Sequence, residues 1–107
     1  MKKWIIGITG GAGYLGSSLA KKLCKSFDVM LLDIKESKEK FDSNVSFQSC
    51  DIRDYDQVEN AIEKVDLVIH TAIIQIPMIT EQKNLGYEVN FLGTQNVCRA
   101  TAECRKP

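Results

Sequence analysis

The chain has 107 residues, 44% of them hydrophobic, with 14 basic and 14 acidic side chains in balance. This is enough for one domain with a real core, and the even charge points to neither a nucleic acid nor an anionic membrane as partner. No apolar run is long enough to span a bilayer, and the four cysteines (Cys24, Cys50, Cys98, Cys104) lack CxxC spacing and accompany one His, so free thiols in a reducing cytoplasm are expected and no metal site.

The start, Met1-Lys2-Lys3-Trp4, resembles the basic end of a signal peptide. Its apolar run breaks at Gly7, however, so Trp4 to Ile8 reads as a strand. A glycine turn follows, Thr9-Gly10-Gly11-Ala12-Gly13-Tyr14-Leu15-Gly16, and then a helical pattern of Leu15, Leu19 and Leu23. Strand, glycine turn and helix start are the context of a dinucleotide-binding fingerprint. Gly10 permits a tight turn, Gly13 lets a pyrophosphate approach the backbone, and Gly16 lets the helix pack closely on the sheet. The helix N-terminus would offer N–H groups and a positive dipole end to the phosphates. The other reading is a glycine-rich turn without a ligand.

The first helix is expected from about Gly13 to Lys25, with Gly16 and Ala20 beside the leucine stripe. The next strand, Asp28 to Leu32, is nearly all apolar, as a buried parallel strand should be, and ends at Asp33. Asp33 lies 23 residues after Gly10, close to the spacing of a ribose-binding acid. Its charge would repel a 2′-phosphate, so NAD is favoured over NADP, although Lys35 nearby tempers this. An ordinary strand-end acid is the alternative.

Ile34 to Asn44 is charge-rich and reads as a solvated loop with at most one helical turn. Val45 to Cys50 is a short strand, followed by Asp51-Ile52-Arg53-Asp54. Asp54 is a good N-cap for a helix over Tyr55 to Lys64, where Val58, Ala61, Ile62 and Val65 share a face. Leu67 to His70 is the most apolar strand and is expected to be central. Ile73 to Lys83 reads as a loop holding Pro77. Its residues Ile73, Ile74, Ile76, Met78 and Ile79 would either line a cleft or pack on further parts of the fold. A long helix from about Asn84 to Glu103 carries Leu85, Val89, Leu92, Asn96 and Ala100 on one stripe, broadened by Gly93, Val97 and Cys104.

Five segments carry a resemblance in order and spacing: Thr9 to Gly16, Leu32-Asp33, Cys50-Asp51-Ile52, Val68 to Ala72, and Val89 to Val97. Together they resemble the N-terminal half of the extended short-chain dehydrogenase/reductase family, the NAD-dependent epimerase/dehydratase group. The segments His70 to Ile74 and Asn90 to Gln95 are most similar to its 3β-hydroxysteroid dehydrogenase/isomerase branch. The resemblance covers nearly the whole chain. It implies that Gly10, Gly13 and Gly16, with the Tyr14-Leu15 backbone, hold the pyrophosphate of NAD. It also implies that Asp33 holds the ribose, and Asp51 and Ile52 the adenine. Ala72 and Ile73 would pass beside the nicotinamide ribose, and Asn90 would support the site from within the last helix. Asp51 as a helix cap and Asn90 as a satisfied buried amide remain open. His70 reads as a strand-end residue rather than a base.

The family's chemistry needs a Tyr-x-x-x-Lys pair and a Ser or Thr. The tyrosines here are Tyr14, Tyr55 and Tyr87, and four residues beyond them stand Ser18, Glu59 and Phe91. No catalytic residue is therefore assigned, and the chain alone is expected to be inactive. The chain ends where the family begins its fifth strand. The expected fold is α/β: one Rossmann-type three-layer domain over residues 1–107, with a truncated parallel sheet of four strands in the order 3-2-1-4. The first helix would lie on one face and the later two on the other. The fourth strand would then be an unsatisfied edge. That edge, or the last helix, is the expected surface for self-association. Two functional readings follow: the NAD-binding portion of an oxidoreductase or epimerase, and a stand-alone nucleotide-binding or regulatory module without chemistry. A partner chain supplying the missing half is a third possibility.

Overall fold

The two inner strands of the sheet bury residues on both sides, which is what their nearly continuous apolar runs require. The computed structural model describes residues 3–74 and 78–107. Its strands are β1 (Ile5–Thr9), β2 (Asp28–Asp33), β3 (Val45–Ser49) and β4 (Leu67–His70). They are parallel, in the expected order β3-β2-β1-β4. Thr9 pairs with Leu32 on one side and His70 on the other, and Asp33 pairs with Ser49. This register aligns the C-terminal ends of all four strands along one rim.

Two apolar layers sandwich the sheet. Ile6, Ile8, Val29 and Leu31 pack with Ala20 and Cys24 of the first helix region, α1 (Tyr14–Leu23). On the other face Leu32, Cys50 and Ile52 pack with Val58, Ala61 and Ile62 of α2 (Tyr55–Glu63) and with Val89, Val97 and Ala100 of the last helical run. Parallel strands joined by right-handed crossovers produce this division, because the order reverses direction at β1. Asp54 caps α2 as expected, accepting from the N–H groups of Asp56 at 3.0 Å and Gln57 at 3.4 Å. Asn44 closes the end of α1 from a distance, donating to the carbonyls of Cys24 at 2.7 Å and Phe27 at 2.9 Å.

Several expectations are corrected. Leu15 is 58% exposed, so α1 buries Gly16, Ser17 and Ala20 instead of a stripe beginning at Leu15. The segment between β2 and β3 is the expected loop, made of bends and one tight turn at Ser43-Asn44, without the helical turn allowed for. Strand β4 lies at the sheet edge rather than its centre, and all four of its residues are half-buried. The edge is not wholly unsatisfied, since the Val68 N–H donates to the Pro107 carbonyl at 2.8 Å. The expected loop after Ile73 contains a helical turn, α3 (Met78–Glu81), while Ile76 and Pro77 lie outside the described residues.

The long last helix is real but not uniform. It runs as α4 (Lys83–Tyr87), a π-helical segment (Glu88–Gly93) and α5 (Thr94–Glu103). The inward positions Leu85, Val89, Gly93 and Val97 are spaced by four, wider than the α period, as a segment bonded from i to i+5 demands. Leu92, expected on the buried stripe, is thereby turned outward and is 39% exposed. Gly93 sits against Ile52, and a Cβ there would lie 2.6 Å from Ile52 Cδ1.

This contact yields a test with a decisive sign. Gly to Ala within a helix ordinarily stabilises by about 1 kcal/mol. Gly93→Ala should instead destabilise, by about 1–2 kcal/mol, because it overpacks Ile52. Adding Ile52→Val should recover part of the loss in urea titrations. A stabilised Gly93→Ala chain would refute the close packing.

Candidate functional site

The aligned strand ends open into a cleft of about 690 Å³. Gly10, Gly13, Tyr14, Leu15, Gly16, Asp33, Asp51, Ile52, Ala72 and Ile73, all singled out from sequence, line it. Asn90 does not. It lines a neighbouring cavity of about 210 Å³ with His70, Thr71, Ala72, Ile73 and Thr94. The main cleft lies beside β1, where the strand order reverses, the usual place for a ligand in an open α/β sheet.

Steric constraints hold the glycine turn in place. Gly10 has φ +69°, a conformation that favours glycine, and a Cβ there would lie 2.8 Å from the Ala72 backbone nitrogen. At Gly16 a Cβ would come within 2.5 Å of the Gly10 carbonyl oxygen. Gly11 is pressed just as tightly on Leu31, a constraint that its position in a flexible-looking turn hides. Gly13 is different, because a Cβ there would meet only the Gly10 carbonyl, at 3.3 Å. The Ser17 hydroxyl donates to the Gly11 carbonyl at 2.9 Å and so ties the turn to α1. Helix α1 follows Gly13, an N-cap with no side chain to cap it, and has no acidic residue in its first turn. Its leading N–H groups and positive dipole end therefore face the cleft without a counter-charge of their own.

Carboxylates stand at the ends of β2 and β3. Asp33 accepts from the N–H of Ala12 at 2.9 Å and from that of Ile34 at 2.7 Å, so it also braces the glycine turn. Asp51 is gripped by Arg53, whose hydrogen bonds and charge hold its carboxyl below the usual carboxylate range. Asn96 donates to the Ile52 carbonyl at 2.9 Å. Asn90 makes a two-point contact with one backbone residue. Its Oδ1 accepts from the Ile74 N–H at 2.8 Å and its Nδ2 donates to the Ile74 carbonyl at 3.1 Å. It therefore secures the segment after β4. Burial and the neighbouring carboxylates push the Cys50 thiol up to about 11, so this cleft-lining sulfur stays protonated.

A chain of polar side chains passes beneath the site. Thr9 Oγ1 accepts from the Thr71 N–H at 3.0 Å and the Ala72 N–H at 3.3 Å. A hydroxyl has two acceptor sites and one proton, so Thr9 must donate to His70 Nδ1, 2.6 Å away. His70 Nε2 then carries the ring proton and donates to Thr94 Oγ1 at 2.8 Å. Sequence reasoning left Thr9 and Thr94 without roles, because only the β1–β4 register and the packing of the last helical run against the sheet bring them to one ring.

Among the described residues no group of three or more His, Cys, Asp or Glu side chains is arranged to hold a metal ion. No helix among them is long and apolar enough to cross a membrane.

Sheet order, glycine turn and cleft together define a Rossmann-type α/β domain of the short-chain dehydrogenase class. The chain belongs to the 3-beta hydroxysteroid dehydrogenase/isomerase family, whose model matches residues 7–106. It is 34% identical over 105 residues to the 3 beta-hydroxysteroid dehydrogenase/Delta 5→4-isomerase of Monkeypox virus, a match covering 92% of this chain and 30% of that protein. It is 42% identical over 96 residues to short-chain dehydrogenase/reductase family 42E member 1 of Danio rerio, covering 87% of this chain and 24% of that one. Among solved structures, the UDP-glucose 4-epimerase of Thermus thermophilus in complex with NAD superposes with a TM-score of 0.83 at 30% identity. That match covers 94% of this chain and 34% of the epimerase. The chain thus spans about a third or less of the length of each of these proteins.

The proton assignment at His70 can be measured. Nitrogen-15 shifts of the ring should show Nδ1 bare and Nε2 protonated, with a pKa below the ordinary 6.5 because burial disfavours the charged form. The unfolded chain then binds more protons than the folded one between the folded pKa and 6.5. Stability should rise with pH through that window and be level, for this group, above it. A protonated Nδ1, or a pKa at or above the ordinary value, would rule out this chain of hydrogen bonds.

Proposed function

We propose that this chain is the NAD-binding portion of a dehydrogenase or epimerase of its family, holding the ADP half of the dinucleotide in the 690 Å³ cleft. The observation that carries the reading is convergence. A glycine turn, an uncapped helix N-terminus and two carboxylates face one cleft at the strand ends.

The residues fit such a ligand. The diphosphate would lie against Gly10, Gly13 and Gly16 and the Tyr14-Leu15 backbone, where the open side of Gly13 leaves room and the α1 dipole attracts anions. Asp33 has about four lone-pair sites. Two are occupied by Ala12 and Ile34, so capacity remains for two ribose hydroxyls. Asp51 and Ile52 would frame the adenine, and Ala72 and Ile73 would flank the nicotinamide ribose. Asn90 would act indirectly, by fixing Ile74. When bound, NAD supplies a hydride acceptor at nicotinamide C4. The negative charge of Asp33 favours NAD over NADP.

Turnover requires residues outside these 107, since none of the three tyrosines has a lysine four positions on. Tyr55 is in any case engaged elsewhere: its hydroxyl donates to Glu103, Arg99 covers its ring, and its pKa is raised. The alternative reading is a nucleotide-binding module without chemistry. Coding sequence for Tyr-x-x-x-Lys directly downstream would decide for the first reading.

Calorimetric titration of the 107-residue chain tests the binding reading. NAD should bind saturably and more tightly than NADP. Asp33→Ala should weaken NAD by about tenfold or more, as loss of hydrogen bonds to a charged group does. Asp33→Asn keeps an acceptor for Ala12 but loses the charge, and should mainly narrow the NAD/NADP preference. A folded chain that binds neither dinucleotide would end this reading.

A further inference from the structure

Arg53 is a residue that the cofactor reading leaves unused. Its backbone N–H donates to Asp51 Oδ1 at 3.0 Å, its Nε reaches Oδ1 at 3.0 Å and Oδ2 at 3.3 Å, and its Nη2 reaches Oδ2 at 2.8 Å. The guanidinium thus grips the carboxylate through one edge, Nε and Nη2, in a two-point fork that fixes the plane of the group as well as its charge. The other arm, Nη1, reaches Glu88 Oε2 at 3.4 Å, at the start of the π-helical segment. Asp51 is held from behind as well, since its N–H donates to Gln57 Oε1 at 3.0 Å.

We propose that Arg53 is the positioning residue that makes the base pocket select a 6-amino purine over a 6-oxo purine. This rests on the NAD-binding reading. Three N–H donors of Arg53 occupy Asp51, the Nε–H being shared between Oδ1 at 3.0 Å and Oδ2 at 3.3 Å, so of about four lone-pair sites the one on Oδ2 touched only by this longer, shared contact is the least engaged. Asp51 lines the cleft, so the remaining acceptor is available to the base edge. An exocyclic amine donates to such an acceptor. A 6-oxo purine puts a carbonyl oxygen there, which a carboxylate lone pair repels, and carries its donor on N1, one atom along the edge, where a carboxylate locked in place does not follow. A carboxylate free to rotate, or able to take up a proton, could accept either edge. One that is ionised and locked in plane by a guanidinium fork accepts only the donor. The Glu88 contact keeps the fork from swinging into the cleft, because it anchors the far side of the guanidinium to the last helical run.

The test compares NAD with nicotinamide hypoxanthine dinucleotide, which differs only at the base edge. The wild-type 107-residue chain should prefer NAD by about tenfold or more. In Arg53→Gln that ratio should fall toward one while the analogue binds as before. Arg53→Lys keeps the charge without the fork and should lie between them, which also serves if the glutamine variant folds poorly. Carboxyl carbon shifts of Asp51 in the free chain should show its titration moving upward in both variants. An unchanged NAD/analogue ratio in a folded variant would overturn the inference. So would equal weakening of both ligands, which marks a merely structural arginine. Failure of the folded wild-type chain to bind NAD would instead overturn the cofactor reading, and this inference with it.

Discussion

The Thr9 hydroxyl is the point on which the site's geometry depends. It is 1% exposed and lies at the end of the central strand β1. A buried hydroxyl left unpaired costs about 1–3 kcal/mol, so its partners must be supplied by whatever surrounds it. Here they are the Thr71 and Ala72 N–H groups and the His70 ring. Those partners lie at the end of β4, and His70 continues the chain to Thr94 in the last helical run. One hydroxyl therefore fixes how far the β4 end stands from the glycine turn. Gly10 occupies the remaining space, so close to Ala72 that no side chain fits. The turn conformation and the path of residues 71–74 are consequences of the same packing.

This explains which parts were legible in the sequence. The buried face of α2 and its cap could be read because each depends on local pattern, a 3.6 period and an Asp before a helix, while the strand order followed from the family resemblance and the crossover rule. Ten of the eleven candidate site residues line one cleft for a similar reason, since they follow the ends of parallel strands and those ends must align. What could not be read depends on pairs distant in sequence. The Asn44 bonds to Cys24 and Phe27 span 17 to 20 residues, and Thr9 to His70 spans 61. The apolar character of β4 suggested a central strand. It reflects an alternative demand, because an edge strand next to β1 must still cover the core with half-buried side chains.

The π-helical segment is the clearest case of tertiary demand overriding local preference. Nothing in Glu88–Gly93 breaks an α-helical pattern except the glycine at its end, and the expected stripe placed Leu92 inward. A uniform α-helix would carry Leu92 toward Ile52 and rotate Asn90 relative to Ile74. The wider turn instead puts Gly93 over Ile52 and aims the Asn90 amide at both backbone groups of Ile74. A residue inserted into a helix costs hydrogen-bond geometry, and such segments persist where surrounding contacts determine them.

The same helical run therefore holds both ends of the cleft. At one end Asn96 and Glu88 engage the Ile52 carbonyl and Arg53, and at the other Asn90 engages Ile74. Between Glu88 and Asn96 the backbone is continuously helical, so these anchors cannot move independently by more than side-chain rotations allow. The distance between the Asp51-Ile52 turn and the segment after β4 is set by a rigid element rather than by either loop. A ligand spanning the cleft would meet a spacing fixed before it arrives, which lowers the ordering cost of binding. It follows that shape at the site is controlled from a helix that contributes few of the cleft-lining residues.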